Sequence, residues 1–330
     1  MSRRQAQARL WYMNADFEME LAAQHRAEVY RRSSQFDKIN RRLATHLLWL
    51  AKRGDALLLK DDEAPNESFA AEAKERGVEL LSKTRAGNQS DKIFTPWGWT
   101  KSAVALGEGT GASVRHPSLE IVARVNSKLW SYALEQELDV ALKHSAIARS
   151  FDELQGVIER ACPKANDKWV IKSPFGFAAR DRVLGRGAVL EATQAVWVRR
   201  RFTLGETLMF QPWLDVVREY GVAMNIEASG EVVIEGISDL QTNGAGTGYG
   251  YLLGREIEPQ RKTELEKFAC IVGARLFAEG YTGAAGMDAL EHANGLHPLL
   301  EINARLTMGH IAVAVEQALY PSTPVLWRTK

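Results

Sequence analysis

The chain has 330 residues, enough to bury one large core or two to three smaller ones. Lys plus Arg number 42 against 41 Asp plus Glu, so the net charge of +1 gives no bulk electrostatic footprint for nucleic acid or an anionic membrane. Two cysteines, Cys162 and Cys270, exclude a disulfide scaffold and a cysteine-based zinc site. Because no apolar run approaches the ~20 residues that span a bilayer, and none follows Arg3 and Arg4 as in a signal peptide, we expect a cytoplasmic protein.

The first 60 residues alternate between strand and helix patterns. Short apolar runs predict strands at residues 10–13 and 56–59, and the intervening residues 17–32 and 34–51 have helical spacing. Strand, helix and strand at this spacing indicate a parallel sheet in an α/β domain. No G-x-G-x-x-G follows the first strand, so the dinucleotide-binding fingerprint is absent.

Residues 86–117 are dense in Gly, Ser, Thr and Pro. Gly107, Gly109 and Gly111 lie within five residues, which predicts a mobile loop, with a phosphate-binding loop as the alternative. We expect the first domain to end just before Pro117, which opens a helix at its favoured first position.

The middle of the chain predicts further helices and strands. Asn126 and Ser127 are expected to cap a helix, and other helices are predicted over residues 151–162 and 258–279. Strands are predicted over residues 168–172, 195–202 and 207–211, and a hairpin over 222–237 that turns at residues 229–230.

The segment 286–305 carries the most informative pattern. Asn294 and Gly295 are a typical two-residue hairpin turn, which places Asp288 directly opposite Glu301 with Cβ atoms about 4.5–5.5 Å apart. Asn303 faces the same side. Two opposed carboxylates repel, and a cation such as Mg²⁺, which takes carboxylates together with phosphates, resolves the conflict. The alternatives are an exposed hairpin whose acids face water, or a one-residue slip that separates them.

These residues resemble the C-terminal signature of the ATP-grasp superfamily, which includes D-alanine–D-alanine ligase, biotin carboxylase and glutathione synthetase. The signature is an acid on one strand followed by Glu-x-Asn-x-Arg, here residues 301–305. The resemblance implies that Asp288, Glu301 and Asn303 hold Mg²⁺, or Mn²⁺ in its place, at the ATP phosphates. It also implies that Arg305 contacts phosphate or an acyl-phosphate intermediate.

Three more segments match this family in the same order. Lys128 at a helix start and Lys172 at a strand end resemble the two nucleotide-binding lysines. Residues 210–214 resemble the hinge whose backbone holds adenine, and Glu219 stands in the place of the acid that contacts the ribose. The resemblance therefore implies nucleotide contacts in this hinge from Gln211, Pro212, Trp213 and Leu214.

The predicted phosphate loop, residues 175–182, departs from the family pattern, which is richer in glycine. Only Gly176 lacks a Cβ, so fewer backbone N–H groups approach the phosphates. Arg180 is the candidate side-chain donor in their place, with a surface salt bridge to Asp181 or Glu191 as the alternative. The hinge has Gln211 where the family commonly has an acid. This change is tolerable because backbone atoms recognise the base in the family.

The resemblance implies an α/β fold, with α+β character in its C-terminal part. We expect an N-terminal Rossmann-like pre-ATP-grasp domain over residues 1–116, an ATP-grasp small lobe over 117–205, and a large lobe with the metal site over 206–330. The implied activity is an Mg²⁺-dependent ligase that uses ATP to activate a small-molecule or peptide carboxylate as an acyl phosphate and couples it to an amine. Lys172 and Arg305 are the expected catalytic cations.

The implied partners are small-molecule carboxylate and amine substrates, without nucleic acid or membrane, and a homodimer is common in the family. Two alternative functions remain open: an ATP-grasp kinase or phosphotransferase, and a nucleotide-binding regulatory module with little catalysis. The glycine-rich residues 242–251 are expected to close over the acceptor or to serve as a connector. Candidate acceptor contacts, with packing or helix capping as the alternative, are Trp97, Trp99, Arg115, His116 and His310.

Overall fold

Four short strands near the N-terminus form a parallel sheet in the computed structural model, which describes residues 7–60, 65–82, 84, 86–176 and 181–329. They are β1 (Arg9–Tyr12), β2 (Ala56–Leu59), β3 (Glu79–Ser82) and β4 (Ile93–Pro96), in the spatial order β3-β2-β1-β4. The helices of this domain are α1 (Phe17–His25), α2 (Ser34–Ala44), α3 (Glu67–Arg76) and α4 (Lys101–Gly109). The predicted Rossmann-like N-terminal domain is confirmed.

Two predicted helices of this domain are shorter than expected. Helix α1 ends at His25 instead of residue 32, because Ala27 takes a positive φ of 56° that a helix cannot continue through. Helix α2 ends at Ala44, and the chain tightens into a 3₁₀ helix over Thr45–Trp49.

The mobile loop predicted around the clustered glycines is wrong. Gly107 and Gly109 belong to helix α4, whose N-cap Thr100 accepts a hydrogen bond from the backbone N of Ala103. Gly107 is needed there for packing, because a Cβ would lie 2.6 Å from the ring of Phe94 on β4. The glycine content therefore reflects close helix–sheet contact at this position.

A second, antiparallel sheet has the order β5-β8-β6-β7. Its strands are β5 (Ala146–Ala148), β6 (Lys168–Lys172), β7 (Arg182–Arg186) and β8 (Leu208–Pro212). Helices α5 (Leu119–Val125) and α6 (Lys128–Glu137) precede it, and α7 (Phe151–Ala161) and α8 (Ala192–Thr203) cover it. Ser127 caps α6 as predicted, whereas Pro117 lies ahead of α5, whose N-cap is Ser118. We call these four strands the small sheet.

The strand predicted over residues 195–202 is wrong, because these residues lie in helix α8. Glu191 and Gln194 form a reciprocal capping box at its start, which supplies the backbone hydrogen bonds that a helix end lacks. Val198 is fully buried in the lobe core, while Val196 is exposed. A helix with one face in the core and the other in solvent is therefore stable here, although the segment contains β-branched residues.

The third sheet, which we call the large sheet, has six antiparallel strands in the order β13-β12-β9-β10-β11-β14. Its strands are β9 (Val216–Ile226), β10 (Val232–Thr242), β11 (Gly248–Leu253), β12 (Gly283–His292), β13 (Gly295–Asn303) and β14 (Val325–Arg328). Helices α9 (Pro259–Ala278) and α10 (Met308–Leu319) pack on it. The predicted long helix and the hairpin between β9 and β10 are confirmed.

The hairpin of β12 and β13 has a different turn from the one predicted, although the pairing of its acids is confirmed. His292 pairs with Gly295, so the turn residues are Ala293 and Asn294, one position earlier than expected. The register then shifts between Asp288 and Leu290, where β13 carries extra residues that include Pro298. Proline cannot donate to the ladder and favours such irregularities. The shift restores the predicted pairing of Asp288 with Glu301.

The predicted α/β fold with an antiparallel C-terminal part is confirmed by these three sheets. The exact domain boundaries at residues 116 and 205 stay predictions, and strand β8 (Leu208–Pro212) pairs within the small sheet. No helix in the described part of the chain is both long and apolar enough to traverse a bilayer.

Candidate active site

A cavity of about 640 Å³, within the usual size range of small-molecule sites, lies between the N-terminal domain and the two antiparallel sheets. All but one of the residues predicted to bind nucleotide or metal line it; the exception, Arg180, lies outside the described residues. The lining residues among them are Lys128, Lys172, Gly176, Gln211, Pro212, Trp213, Leu214, Glu219, Asp288, Glu301, Asn303 and Arg305. The structure thus gathers the predicted set in one place.

The large sheet presents the residues predicted as metal ligands. Asp288 and Glu301 are directly opposed, and Asn303 Nδ2 donates to Asp288 Oδ2 at 3.0 Å. Burial and the charge of Glu301 raise the pKa of Asp288 to about 7, against the opposing effect of Arg305. No three His, Cys, Asp or Glu side chains gather as a metal cluster among the described residues, so this donor set is two carboxylates and one amide. Oxygen donors of this kind fit a hard divalent cation.

Lys128 is held beside these acids by the start of helix α6. Asn126, just before the helix, accepts a hydrogen bond from the backbone N of Ala304 at 2.9 Å and so fixes the end of β13 against it. Lys128 Nζ donates to Glu301 Oε1 at 2.8 Å, and the lysine is 12% exposed. Burial lowers the pKa of Lys128, but Glu301 and Glu18 outweigh it and leave this pKa raised.

Lys172 lies on the face of the small sheet that lines the cavity. Its strand neighbours Trp169 and Ile171 point into the lobe core, so alternation along the strand turns Lys172 toward the cavity. Lys172 Nζ donates to Gln211 Oε1 at 2.7 Å. Burial and the charge of Lys128 lower the pKa of Lys172, against the attraction of Glu301.

Arg182 is a cavity residue that the sequence did not single out. It pairs with Lys172 across strands β6 and β7, its guanidinium lies 5.6 Å from the ring centroid of Trp213, and it donates to the backbone O of Ala245. Burial lowers the pKa of Arg182, against the charges of Glu301 and Glu219. Strand pairing would have indicated it, since a directly opposed residue shares the face of Lys172.

The glycine-rich segment between β10 and β11 covers the hinge end of the cavity. Asn243 Oδ1 accepts hydrogen bonds from the backbone N atoms of Ala245 and Thr247, each at 3.0 Å. A Cβ on Gly246 would lie 2.7 Å from the ring of Trp213, so the segment rests directly on that tryptophan. This segment therefore contacts the predicted base-binding hinge at Trp213. Its closure over an acceptor stays a prediction.

Glu219 faces the cavity from strand β9. Its Oε1 accepts a hydrogen bond from Thr242 Oγ1 at 2.6 Å. Burial raises its pKa, against the hydrogen bond from Thr242 and the charges of Arg182 and Lys172. The carboxylate is positioned one strand from Asp288, at the hinge side of the same cavity.

Arg305 is held by an acid that lies 287 residues away in sequence. Its Nε donates to Glu18 Oε1 at 3.1 Å, its Nη2 contacts the same oxygen, and Nη2 also donates to Asn303 Oδ1 at 2.8 Å. Glu18 follows strand β1, where the carboxyl ends of parallel strands commonly line a ligand crevice. Sequence reasoning missed Glu18, although that position after the first strand was a usable signal.

Ion pairs join the start of the predicted phosphate loop to the N-terminal domain. Glu206, which is buried, binds Arg26 at 3.0 Å and Arg201 at 3.3 Å, and it accepts a hydrogen bond from Ser173 Oγ at 2.9 Å. Asp181 at the other end of the loop pairs with Arg201. The carboxylate of Asp181 is thus neutralised by the protein.

Only one of the five acceptor candidates lines the cavity. Trp97 contributes to its wall and is buried. Trp99 packs between Phe94 and His116 and is not among the lining residues; Arg115 and His310 are not either. His310 accepts a hydrogen bond from the backbone N of Thr307 in the capping box of α10, so helix capping is its observed role. Burial lowers its pKa to about 4.

No protein-family model matches the chain, and no curated protein matches it in sequence. Solved structures do match its fold. An ADP complex of N5-carboxyaminoimidazole ribonucleotide synthetase gives a TM-score of 0.51 at 13% identity, over 80% of this chain and 68% of that chain. The biotin carboxylase domain of the Hydrogenobacter thermophilus 2-oxoglutarate carboxylase, solved with MgADP, ADP and bicarbonate, gives 0.55 at 14% identity over 83% and 66%. D-alanyl-alanine synthetase A from Vibrio cholerae gives 0.52 at 12% identity over 82% and 94%.

These likenesses, together with the three sheets, show that the chain has the ATP-grasp fold with an N-terminal α/β domain, as predicted. At 12–14% identity they establish the fold alone. The chain spans about two thirds of the length of the first two solved chains.

Proposed function

We propose that the protein is an Mg²⁺-dependent ligase that uses ATP to activate a carboxylate as an acyl phosphate and couples it to an amine. The observation that carries the proposal is the opposed pair Asp288 and Glu301 in a cavity that also holds Lys128, Lys172 and Arg305. Two carboxylates for a cation and three cations for phosphates are the groups that phosphoryl transfer requires. Solved proteins of the same fold were crystallised with ADP and MgADP, which supports this choice of ligand.

In the proposed reaction, Mg²⁺ bound at this site would supply charge neutralisation at the ATP phosphates. Asp288, Glu301 and Asn303 would hold it, because the two acids are paired across β12 and β13 and Asn303 lies against Asp288 on the same wall of the cavity. The protein needs no covalent nucleophile, because positioning and charge stabilisation supply most of the catalysis of phosphoryl transfer.

The two lysines and Arg305 neutralise charge that develops on the transferred phosphoryl group. Lys172 reaches the cavity from the small sheet and Lys128 from helix α6, so they approach from different walls. Arg305 is fixed by Glu18 and Asn303, which orients its guanidinium before any substrate binds. Arg182 adds a further cation to the cavity wall, paired with Lys172 across the small sheet and close to the hinge residue Trp213.

The hinge and its neighbours are assigned to the nucleoside. Gln211, Pro212, Trp213 and Leu214 line the cavity beside Glu219, which we assign to the ribose. Gly176 lies at the start of the phosphate loop and is assigned to the phosphates. Small-molecule or peptide carboxylate and amine substrates, a cytoplasmic location and a homodimer are parts of the proposal that follow the family resemblance.

The test is ADP formation with pooled amino acids and small carboxylates, with and without Mg²⁺. We expect Glu301→Ala to abolish metal-dependent ADP formation while the protein keeps its fold by circular dichroism. Glu291→Ala is the matched control, because Glu291 lies on the same hairpin, binds Arg261 and the Tyr220 hydroxyl, and is not among the residues that line the cavity. Unchanged turnover in Glu301→Ala would remove the metal assignment.

Product analysis separates the proposal from its two alternatives. A ligase releases inorganic phosphate together with ADP, whereas a kinase or phosphotransferase leaves the phosphoryl group on its product. ATP binding without turnover across all pools would favour a regulatory module instead.

A further inference from the structure

One wall of the cavity is apolar and has no role in the proposed nucleotide site. Its residues come from helix α2, the chain just after β4, strands β10 and β11, and the start of helix α10, and they pack in one hydrophobic cluster. They are Ile39, Leu43, Trp97, Leu240, Tyr251 and Met308. Because none of them is assigned to the nucleotide or the cation, this wall is open to a second substrate with an apolar group.

Arg42 lies beside this wall and carries a free positive charge. It follows Ile39 by three positions and Leu43 follows Ile39 by four, so the three side chains share one face of helix α2. Arg42 lines the cavity and is exposed, so a ligand can reach its guanidinium. Among the residues that the structure describes, none forms an ion pair or a hydrogen bond with this guanidinium.

The other four cations that line the cavity each bind a group of the protein. They are Lys128, Lys172, Arg182 and Arg305. A free guanidinium offers five donors in a planar fork that matches a carboxylate. The carboxylate that is activated has to reach the phosphates, where Lys128, Lys172 and Arg305 supply the positive charge. Arg42 is therefore available for an anionic group that the reaction does not consume.

We infer that Arg42 and the apolar wall select the amine substrate, and that this substrate carries an apolar side chain and a free carboxylate, as an apolar amino acid does. The inference rests on the proposed function, which couples an amine to an acyl phosphate. In that step the amine nitrogen forms the new C–N bond as the C–O bond to phosphate breaks, and the released phosphate takes the amine proton. The carboxylate on Arg42 keeps its charge throughout and positions the amine.

The first test measures binding by calorimetry in the presence of Mg²⁺ and a non-hydrolysable ATP analogue, so it does not depend on turnover. The probes are racemic leucine, which has both features, leucinamide, which lacks the carboxylate, and serine, which lacks the apolar side chain. We expect leucine to bind about tenfold or more tightly than either of the other probes, because each of them loses one of the two contacts.

The second test removes the cation with Arg42→Gln. We expect the affinity for leucine to fall by on the order of tenfold, while the affinity for leucinamide stays unchanged because it has no carboxylate to lose. Lys38→Gln is the matched control, because Lys38 is an exposed cation on the same helix that does not line the cavity. This variant should bind leucine as the wild-type protein does.

The outcomes separate the inference from the proposed function. Retained leucine affinity in Arg42→Gln, or wild-type binding of serine or leucinamide as tight as that of leucine, would overturn the inference and leave the proposed function intact. Binding of the ATP analogue without binding of any probe would do the same. If the ATP analogue itself does not bind the wild-type protein, the proposed function fails and the inference fails with it.

Discussion

Glu135 on helix α6 gives a quantitative prediction about pH and stability. It is fully enclosed, and neither carboxylate oxygen has a hydrogen bond from any described residue. The closest ionisable contact is His297 Nε2 at 3.7 Å, and burial lowers the pKa of that histidine to about 4. Burial raises the pKa of Glu135 from 4.5 to about 8, against the attraction of Lys172. Both members of this pair are therefore neutral near pH 7.

The sign of the effect follows from this raised pKa. The contribution of Glu135 to stability is fully present below pH 4.5 and is lost as the pH rises through 8, because the unfolded chain ionises first. The difference between 4.5 and about 8, at roughly 1.4 kcal/mol per pKa unit, gives a loss on the order of 5 kcal/mol. This is a large part of the stability of a typical domain.

The substitution that tests this is Glu135→Gln, which keeps the shape and removes the ionisation. We expect the wild-type unfolding free energy, relative to the variant, to fall progressively between pH 5 and pH 9, as measured by urea titration followed by tryptophan fluorescence. Glu137→Gln on the same helix is the control, because Glu137 is 53% exposed, and its profile should run parallel to wild type.

Parallel profiles for Glu135→Gln would refute the reasoning. A relative gain of wild-type stability with rising pH would also refute it, because it would require a folded-state pKa of Glu135 below that of the unfolded chain. The glutamine carries its own cost of burial at every pH, so the comparison rests on the slope and not on the absolute difference.

Two further predictions concern packing and the held arginine. Gly107→Ala should destabilise the protein by ~1–3 kcal/mol, because the new Cβ would lie 2.6 Å from a phenylalanine ring. Gly109→Ala in the same helix meets nothing within 4 Å and should stabilise the protein by ~0.5 kcal/mol. Thermal unfolding of the two variants checks both values. Glu18→Gln should lower kcat by on the order of tenfold with nearly unchanged nucleotide affinity, because Arg305 loses its charged partner. Glu20→Gln on the same helix should leave kcat unchanged, because the Glu20 carboxylate binds outside the cavity. Equal kcat values in the two variants would contradict this prediction.

The sequence predicted which residues come together in the cavity better than it predicted the elements that carry them. Asp288 and Glu301 meet as expected, but through a turn one position earlier and a compensating register shift beside Pro298. The opposed acids and the Glu-x-Asn-x-Arg motif form a local sequence pattern. Such a pattern can be recognised even when the turn moves and the strand register shifts. The path of strand β13 beside Pro298 depends on tertiary packing, which cannot be inferred from a local sequence pattern.

Errors in the remaining elements have the same physical origin. Residues 195–202 look like a strand from their β-branched content, yet a capping box and one buried face make them a helix. Gly107 looks like a loop residue until the ring that packs against it is known. Glu18 and Arg182 stayed unnoticed because their partners are brought close only by strand pairing and domain packing.

The contact between Lys128 and Glu301 makes the two expected ligands of the site interdependent. On the proposed assignment the lysine serves the triphosphate and the carboxylate serves the cation, yet in the chain alone each neutralises the other. A cation that takes the carboxylate releases the lysine, and an anion that takes the lysine releases the carboxylate. Thermodynamic reciprocity then requires that magnesium tightens nucleotide binding by the same factor by which nucleotide tightens magnesium binding.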